Sequence, residues 1–282
     1  MMLKAIRNLA LAGLIAAGAA PPAAAAPEAD LWPRWQAHDA SSTATIDHGA
    51  WAAFLDSYLV ERGDGANLVR YAAVSQADGR KLDAYLDKLA GIQISDYSRP
   101  VQFAYWVNLY NALTIDVVLD HYPVDSIRDI DISPGWFSSG PWGADLVTVE
   151  GTALSLNDIE HRILRPIWQD PRIHYAVNCA SIGCPDLRSD PYTAERLDAQ
   201  LDAAARAYIN DPRGAEVTGG TLTVSKIYTW YQNDFGDSDA GVIRHLRQYA
   251  DAQLAARLES LSGIGDSRYD WSLNEATDDE AS

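Results

Sequence analysis

Residues 100–119 constrain the fold most strongly, because this segment is apolar almost all round. A helix with a single apolar stripe lies at a surface, whereas a helix that is apolar on every side must be buried. We therefore predict a long central helix here, closed by Pro123, with the rest of the chain packed around it.

Shorter segments show the apolar spacing of amphipathic helices or the alternation of strands. The predicted helices cover residues 49–61, 79–89, 155–164, 193–209, 225–234, 242–249 and 252–261, and the predicted strands cover 146–149, 172–179, 216–224 and 269–273. Ser155 and Asp158 have the spacing of a capping box, and Gly219-Gly220 indicates a hairpin turn. The pattern predicts a helix-dominated α+β domain with a small, mainly antiparallel sheet.

The first 26 residues have the pattern of a cleavable secretory signal. Lys4 and Arg7 precede an apolar run over 9–20 and small residues over 23–26. This order is typical of signal peptides, and the run is shorter than the roughly 20 residues that cross a bilayer. We predict a periplasmic or secreted protein with no stable membrane insertion after cleavage, the alternative being an uncleaved anchor.

Three further regions follow the signal. Residues 27–48 are expected to be a linker or irregular segment, 49–275 a single globular domain, and 276–282 an acidic tail. The formal net charge of −17 argues against nucleic acid as a partner. The expected partner is a small molecule, a peptide or a protein.

Polar side chains inside the central helix are candidate site residues. Asn108 and Asn111 are spaced i, i+3 and share a face, and Tyr110 lies between them in sequence. The two amides could orient a substrate as part of a catalytic site, and Tyr110 could contact a ligand. The alternative is a structural network that ties this helix to a neighbouring backbone.

Glu160, His161 and His174 are candidate acid–base residues. Adjacent residues on a helix point about 100° apart, so Glu160 and His161 are not expected to chelate one ion. On a straight strand, His174 and Cys179 would face opposite sides. The alternatives are a surface pair for Glu160-His161 and a core histidine for His174.

Cys179 and Cys184 are the two cysteines of the chain. In an exported protein such a pair is most simply a disulfide. The alternative makes Cys179 a nucleophile with His161 or His174 as its base, in a hydrolase or acyl transferase acting on a peptide or cell-wall amide. The sequence has neither four metal ligands at a known spacing nor a glycine-rich phosphate loop, so we predict no metal and no cofactor.

An aromatic loop over residues 133–143 includes Trp136, Phe137 and Trp142. These rings could bind a ligand by stacking, or they could close the core. They support the alternative to an enzyme, which is a binding or interaction module with a structural Cys179–Cys184 disulfide.

Several motifs together resemble the domain-of-unknown-function 547 family. They are FAYWVNLYNALTI at 103–115, LNDIEH at 156–161, IHYAVNC at 173–179 with Cys184-Pro185, Trp230 with Asp234-Phe235, and YDWSLN at 269–274. The resemblance covers about residues 50–275 and implies a single domain, commonly exported in bacterial relatives. It implies no reaction, since the family is named for lacking an assigned function. The motif positions carried over are Asn108, Tyr110, Asn111, Glu160, His161, His174, Cys179 and Cys184.

Overall fold

The central helix, α3, spans Arg99–His121 in the computed structural model, which describes residues 27–63, 65–135 and 140–277. Pro100 lies in its first turn, where the missing N–H has no partner to lose. Nearly all side chains from Val101 to Val118 are buried, because apolar residues lie on every side of this helix. The predicted buried helix is therefore confirmed. In the described part of the chain, no helix is long and apolar enough to cross a membrane.

The remaining helices pack around α3 or form a second layer. They are α1 (Gly49–Tyr58), α2 (Gln76–Ala90), α4 (Arg165–Trp168), α5 (Ile173–Ala176), α6 (Leu197–Asn210), α7 (Lys226–Trp230), α8 (Asp239–Tyr249) and α9 (Ala252–Leu258). One apolar cluster surrounds α3, and a second lies between α6, α8 and a three-stranded sheet.

The strands form three small sheets in the described ranges. They are β1 (Leu59–Val60), β2 (Leu68–Val69), β3 (Val147–Val149), β4 (Thr152–Leu154), β5 (Ala215–Thr218), β6 (Thr221–Ser225) and β7 (Asp266–Arg268). β1 pairs with β2 and β3 with β4, both antiparallel, while the third sheet has the order β5-β6-β7. Only β6 and β7 are parallel in it. The predicted helix-dominated α+β class is confirmed.

The strand predicted over 172–179 is wrong. Ile173–Ala176 form the single helical turn α5, which the Val177 N–H closes on the carbonyl of Ile173 at 3.2 Å. The β-branched residues produce a strand-like pattern, yet all side chains from Ile173 to Asn178 are buried, so no alternation of faces exists. The prediction that His174 and Cys179 face opposite sides of a strand therefore does not apply.

The helix predicted over 155–164 does not stop before Pro166. Residues Asp158–Leu164 form a π-helical segment, in which the Arg165 N–H bonds the carbonyl of Glu160, and α4 continues from it. Pro166 falls in the first turn of α4, where a proline is tolerated. The π segment places Glu160, His161 and Arg165 in one cluster, and such segments are frequent at functional sites.

Candidate functional site

A reciprocal cap fixes the start of the π-helical segment. The Ser155 N–H donates to Oδ2 of Asp158 at 3.0 Å, and the Asp158 N–H donates to Oγ of Ser155 at 3.1 Å. These two bonds satisfy backbone donors that the first turn would leave free. The predicted capping box is confirmed, and it sets the register from which Glu160 and His161 project inward.

A polar cluster, which we call the Glu160 cluster, consists of the buried residues Tyr110, Glu160, His161, Arg165 and His174 together with the partly exposed Tyr231 and Asp234. The Tyr110 hydroxyl donates to Oε2 of Glu160 at 3.1 Å. Oε1 of Glu160 lies 3.8 Å from Nδ1 of His161 and 3.8 Å from Nδ1 of His174. The predicted acid–base candidates therefore meet in space.

Asp234 anchors the opposite side of this cluster. Its Oδ2 accepts from Nε2 of His174 at 2.7 Å and from Nε of Arg165 at 2.6 Å. Burial alone would raise the pKa of Asp234, but the hydrogen bonds from His174 and Arg165 outweigh burial and hold that pKa well below its usual range. Asp234 is therefore a carboxylate that only accepts, so Nε2 of His174 carries a proton.

His161 is neutral, because burial lowers its pKa to about 4. The Arg165 guanidinium donates to Nδ1 of His161 at 3.0 Å, a bond that only the unprotonated nitrogen can accept. The Tyr231 ring covers the cluster: it stacks on His174 with centroids 4.4 Å apart, and Arg165 Cζ lies 4.6 Å from its centroid. Hydrogen bonds, ion pairs and ring stacking thus connect all the residues of the Glu160 cluster.

Cys179 and Cys184 are joined in a disulfide with their Cα atoms 6.2 Å apart. The predicted disulfide is confirmed. The two residues differ in exposure, since Cys184 is only 4% exposed and Cys179 is partly exposed. In this state neither residue has a free thiol, and a free thiol is what the predicted nucleophile requires.

Three hydrogen-bond donors surround the disulfide. The Tyr269 hydroxyl lies 3.0 Å from Sγ of Cys179 and 3.1 Å from Sγ of Cys184. The Cys179 N–H donates to Sγ of Cys184 at 2.9 Å, and the Ser181 hydroxyl lies 3.3 Å from Sγ of Cys179. Burial raises the pKa of Tyr269 well above its usual value, so this phenol keeps its proton and remains a donor.

The C-terminal segment brings Tyr269 to the sulfurs by pairing with the cysteine loop. The Gly183 N–H donates to the carbonyl of Asp270 at 2.8 Å, and the Ile182 N–H donates to that of Ser272 at 2.9 Å. A Cβ at Gly183 would lie 2.7 Å from the backbone nitrogen of Asp270. Glycine is therefore needed here for the close approach of the two backbones.

Residues 94–209 match the family model described as "Protein of unknown function, DUF547". Over this segment the chain is similar to the DUF547 family. The matched segment contains α3, the π-helical segment and both cysteines, whereas Tyr231, Asp234 and Tyr269 follow it. No curated protein and no solved structure matches the chain.

The two candidate amides on α3, Asn108 and Asn111, bond to backbone. Asn111 donates through Nδ2 to the carbonyl of Ala176 at 2.9 Å and accepts from the Asn178 N–H at 2.8 Å. Asn108 makes the same pair of bonds with the backbone of Tyr192, at 2.8 and 3.0 Å. These contacts match the structural alternative, and Asn111 fixes the backbone that leads into Cys179.

Trp142 lies beside rings that follow the DUF547 segment. Its centroid is 5.7 Å from that of Trp271, and both side chains are partly exposed. Trp136 and Phe137, the other rings of the predicted aromatic loop, lie outside the described residues.

Among the residues the structure describes, no group of three or more His, Cys, Asp or Glu could hold a metal ion.

Sequence reasoning named Asp234, Tyr269 and Trp271 only as parts of the resemblance, and it did not place Arg165 or Tyr231 in a site. Asp234 lies 60 residues from its partner His174, and Tyr269 lies 90 residues from Cys179. No local spacing reports contacts over such separations. The sequence feature that could have identified these residues as site candidates is a charged or polar residue inside an aromatic stretch, such as Asp234 before Phe235.

Proposed function

We propose that this chain is an exported protein whose Cys179–Cys184 disulfide exchanges with the thiols of other molecules. The observation that carries the proposal is the set of donors around the two sulfurs, combined with the unequal exposure of the cysteines. A disulfide sulfur accepts hydrogen bonds weakly, whereas a thiolate accepts them strongly. The donors therefore stabilise the reduced pair more than the oxidised one.

The unequal exposure sets the direction of attack. Because Cys179 is partly exposed as a residue and Cys184 is buried, we take Sγ of Cys179 as the sulfur that an incoming thiolate attacks. Attack forms a bond from the incoming sulfur to Cys179 and breaks the bond between the two cysteines. Cys184 leaves as a thiolate, held by the Cys179 N–H and the Tyr269 hydroxyl.

Stabilising this thiolate lowers the pKa of the leaving thiol, and a thiol of lower pKa leaves faster. A second substrate thiol then attacks the substrate sulfur of the mixed disulfide and releases Cys179. In sum, two thiols are oxidised to one disulfide, and two electrons and two protons pass to the cysteine pair. The reverse sequence would oxidise the pair again.

A cysteine hydrolase or acyl transferase would need a different state of the same residues. It requires Cys179 as a free thiol, with His174 or His161 as base and Glu160 or an asparagine to orient it. The hydrogen bond from His174 to Asp234 has the form of a base and its orienting carboxylate. Because Cys179 is bonded to Cys184, this reaction could begin only after reduction, so the geometry favours exchange.

A second candidate function is a binding or interaction module in which the disulfide is only structural. It is favoured by the partly exposed rings of Trp142, Trp230, Tyr269 and Trp271, which form a continuous series of ring contacts. A stable disulfide that resists exchange in the folded protein would support this candidate instead.

A redox titration of the folded protein tests the proposal. The protein is equilibrated with graded ratios of reduced and oxidised dithiothreitol, quenched with an alkylating reagent, and weighed by mass spectrometry. We expect Cys179 and Cys184 to be reduced and reoxidised reversibly while circular dichroism stays unchanged. Reduction that occurs only together with unfolding would overturn the proposal.

Export rests on the pattern of residues 1–26, which lie outside the described residues, and on the presence of a disulfide, which persists in oxidising compartments. Expression in a bacterium followed by fractionation tests it. We expect periplasmic or secreted material whose N-terminus lies near residue 27. Recovery of the uncleaved chain in the cytoplasm alone would contradict export.

A further inference from the structure

Four aromatic side chains form a continuous surface, which we call the aromatic strip: Trp142, Trp230, Tyr269 and Trp271. Ring centroids are 4.6 Å apart for Tyr269–Trp271, 4.9 Å for Trp230–Tyr269 and 5.7 Å for both Trp142–Trp271 and Trp230–Trp271. All four are partly exposed. Arg128 lies over the Trp271 ring, and the strip presents part of its remaining ring surface to solvent.

The aromatic strip ends at the disulfide, because Tyr269 belongs to both. Its ring packs on Trp230 and Trp271, while its hydroxyl touches Sγ of Cys179. When an aromatic group of a ligand stacks on the strip, the part of the ligand next to that group therefore lies beside Sγ of Cys179, the sulfur that we propose is attacked. This continuity connects ring stacking with exchange chemistry.

Charge restricts the ligand further. The chain carries a formal net charge of −17, and the exposed Asp270 lies between Tyr269 and Trp271 in sequence. At long range the net charge repels an acidic thiol such as glutathione and attracts a cationic peptide. Next to the strip, charges of both signs occur, because Arg128 Cζ lies 5.3 Å from the Trp271 centroid.

We propose that the preferred substrates of exchange are cysteine-containing peptides of positive charge, with an aromatic side chain next to the cysteine. The inference rests on the proposed thiol–disulfide exchange and names its substrate class. Aromatic pairs contribute about 0.5–1.5 kcal/mol beyond burial, which corresponds to roughly a two- to tenfold preference for one added ring contact.

Two synthetic peptides and glutathione test the inference on the full, oxidised protein. The first peptide has cysteine between two phenylalanines with lysine at each end, and the second replaces both phenylalanines with serine. Rate constants for reduction of the disulfide are measured by alkylation quench and mass spectrometry, at a pH chosen to give each reagent the same thiolate concentration. We expect the phenylalanine peptide to react fastest and glutathione slowest.

Variants test whether the preference for the phenylalanine peptide depends on the aromatic strip. Trp230→Ala should bring the phenylalanine peptide to within about twofold of the serine peptide. Trp168→Ala removes a partly buried ring that packs against Phe103 rather than against the aromatic strip, and should keep the preference. The comparison of the two peptides on the unmodified protein decides the question even where a variant folds poorly.

The outcomes separate the two proposals. Exchange at equal rates with both peptides would overturn the aromatic strip as a substrate surface and leave the proposed exchange intact. Failure of every thiol to reduce the folded protein would overturn the exchange itself, and the inference with it. A preference that survives in Trp230→Ala would also contradict the strip.

Discussion

The hydroxyl of Tyr269 lies 3.0 Å from Sγ of Cys179, although 90 residues separate the two in sequence. The same hydroxyl lies 3.1 Å from Sγ of Cys184. The Tyr269 hydroxyl can donate its single proton to only one sulfur at a time. It can therefore donate to whichever of the two sulfurs becomes a thiolate. The protonated phenol is thus a mobile donor for both ends of the cysteine pair.

Replacing Tyr269 with phenylalanine should slow reduction of the disulfide by dithiothreitol. A hydrogen bond to a charged group contributes about 1.5–3 kcal/mol, so we expect roughly a tenfold or larger decrease in rate and a higher pKa of the Cys184 thiol in the reduced protein. Stopped alkylation across a pH series measures both. Tyr105→Phe, which loses a bond to the carbonyl of Leu89 on α2, serves as the control, and an equal effect there would contradict the role of Tyr269.

Replacing Asp234 with asparagine should destabilise the fold. Asp234 accepts from both Arg165 and His174, and its side chain is 23% exposed, so its loss leaves a buried guanidinium without its carboxylate. We expect a decrease in the free energy of unfolding of about 2–4 kcal/mol, measured by urea denaturation. Asp198→Asn is the matched control, because Asp198 pairs with Arg172 at 89% exposure and should cost less than about 1 kcal/mol. Equal losses would show that burial does not set the energy of these pairs.

The free energy of unfolding should fall as pH decreases from about 6.5 to about 4. Burial lowers the pKa of His245 to about 4, and it does the same for His48 and His161. In this window the unfolded chain binds protons that the folded protein excludes, so acid favours unfolding. Urea denaturation at several pH values should give a shallower slope for His245→Gln than for the parent protein. An unchanged slope would argue against a buried neutral imidazole.

Asp116 should have the opposite pH dependence. Burial raises its pKa to about 7, and the negative charges of Asp120 and Asp83 contribute. The folded protein then holds a proton that the unfolded chain has lost, and stability from this group falls as pH rises from about 4 to 7. Asp116→Asn should therefore stabilise the protein by about 1–2 kcal/mol at pH 8 and have little effect at pH 4. Thermal unfolding at both pH values measures the difference, and a pH-independent effect would contradict it.

The sequence predicted those parts of the fold that depend on residues close to one another in the chain. The all-round apolar segment became α3, the Ser155–Asp158 spacing became a cap, and Gly219-Gly220 became a tight turn with both residues at positive φ. The pattern failed at residues 172–179, where burial on all sides removes the alternation that distinguishes a strand.

The candidate site was only half predictable. Glu160, His161, His174 and the cysteines stood out by residue type, and the structure brings the first three together. Their partners Asp234 and Tyr269 are fixed by tertiary packing across 60 and 90 residues. Propensity and periodicity carry no information about such distances.

The pairing of the cysteine loop with residues 270–273 has a consequence for how the molecule is made. A ribosome completes Cys179 and Cys184 long before Tyr269, so the sulfurs emerge without the phenol that lies against both of them. If the disulfide exchanges as proposed, the contact of Tyr269 with both sulfurs forms only after residues 270–273 have docked beside the cysteine loop.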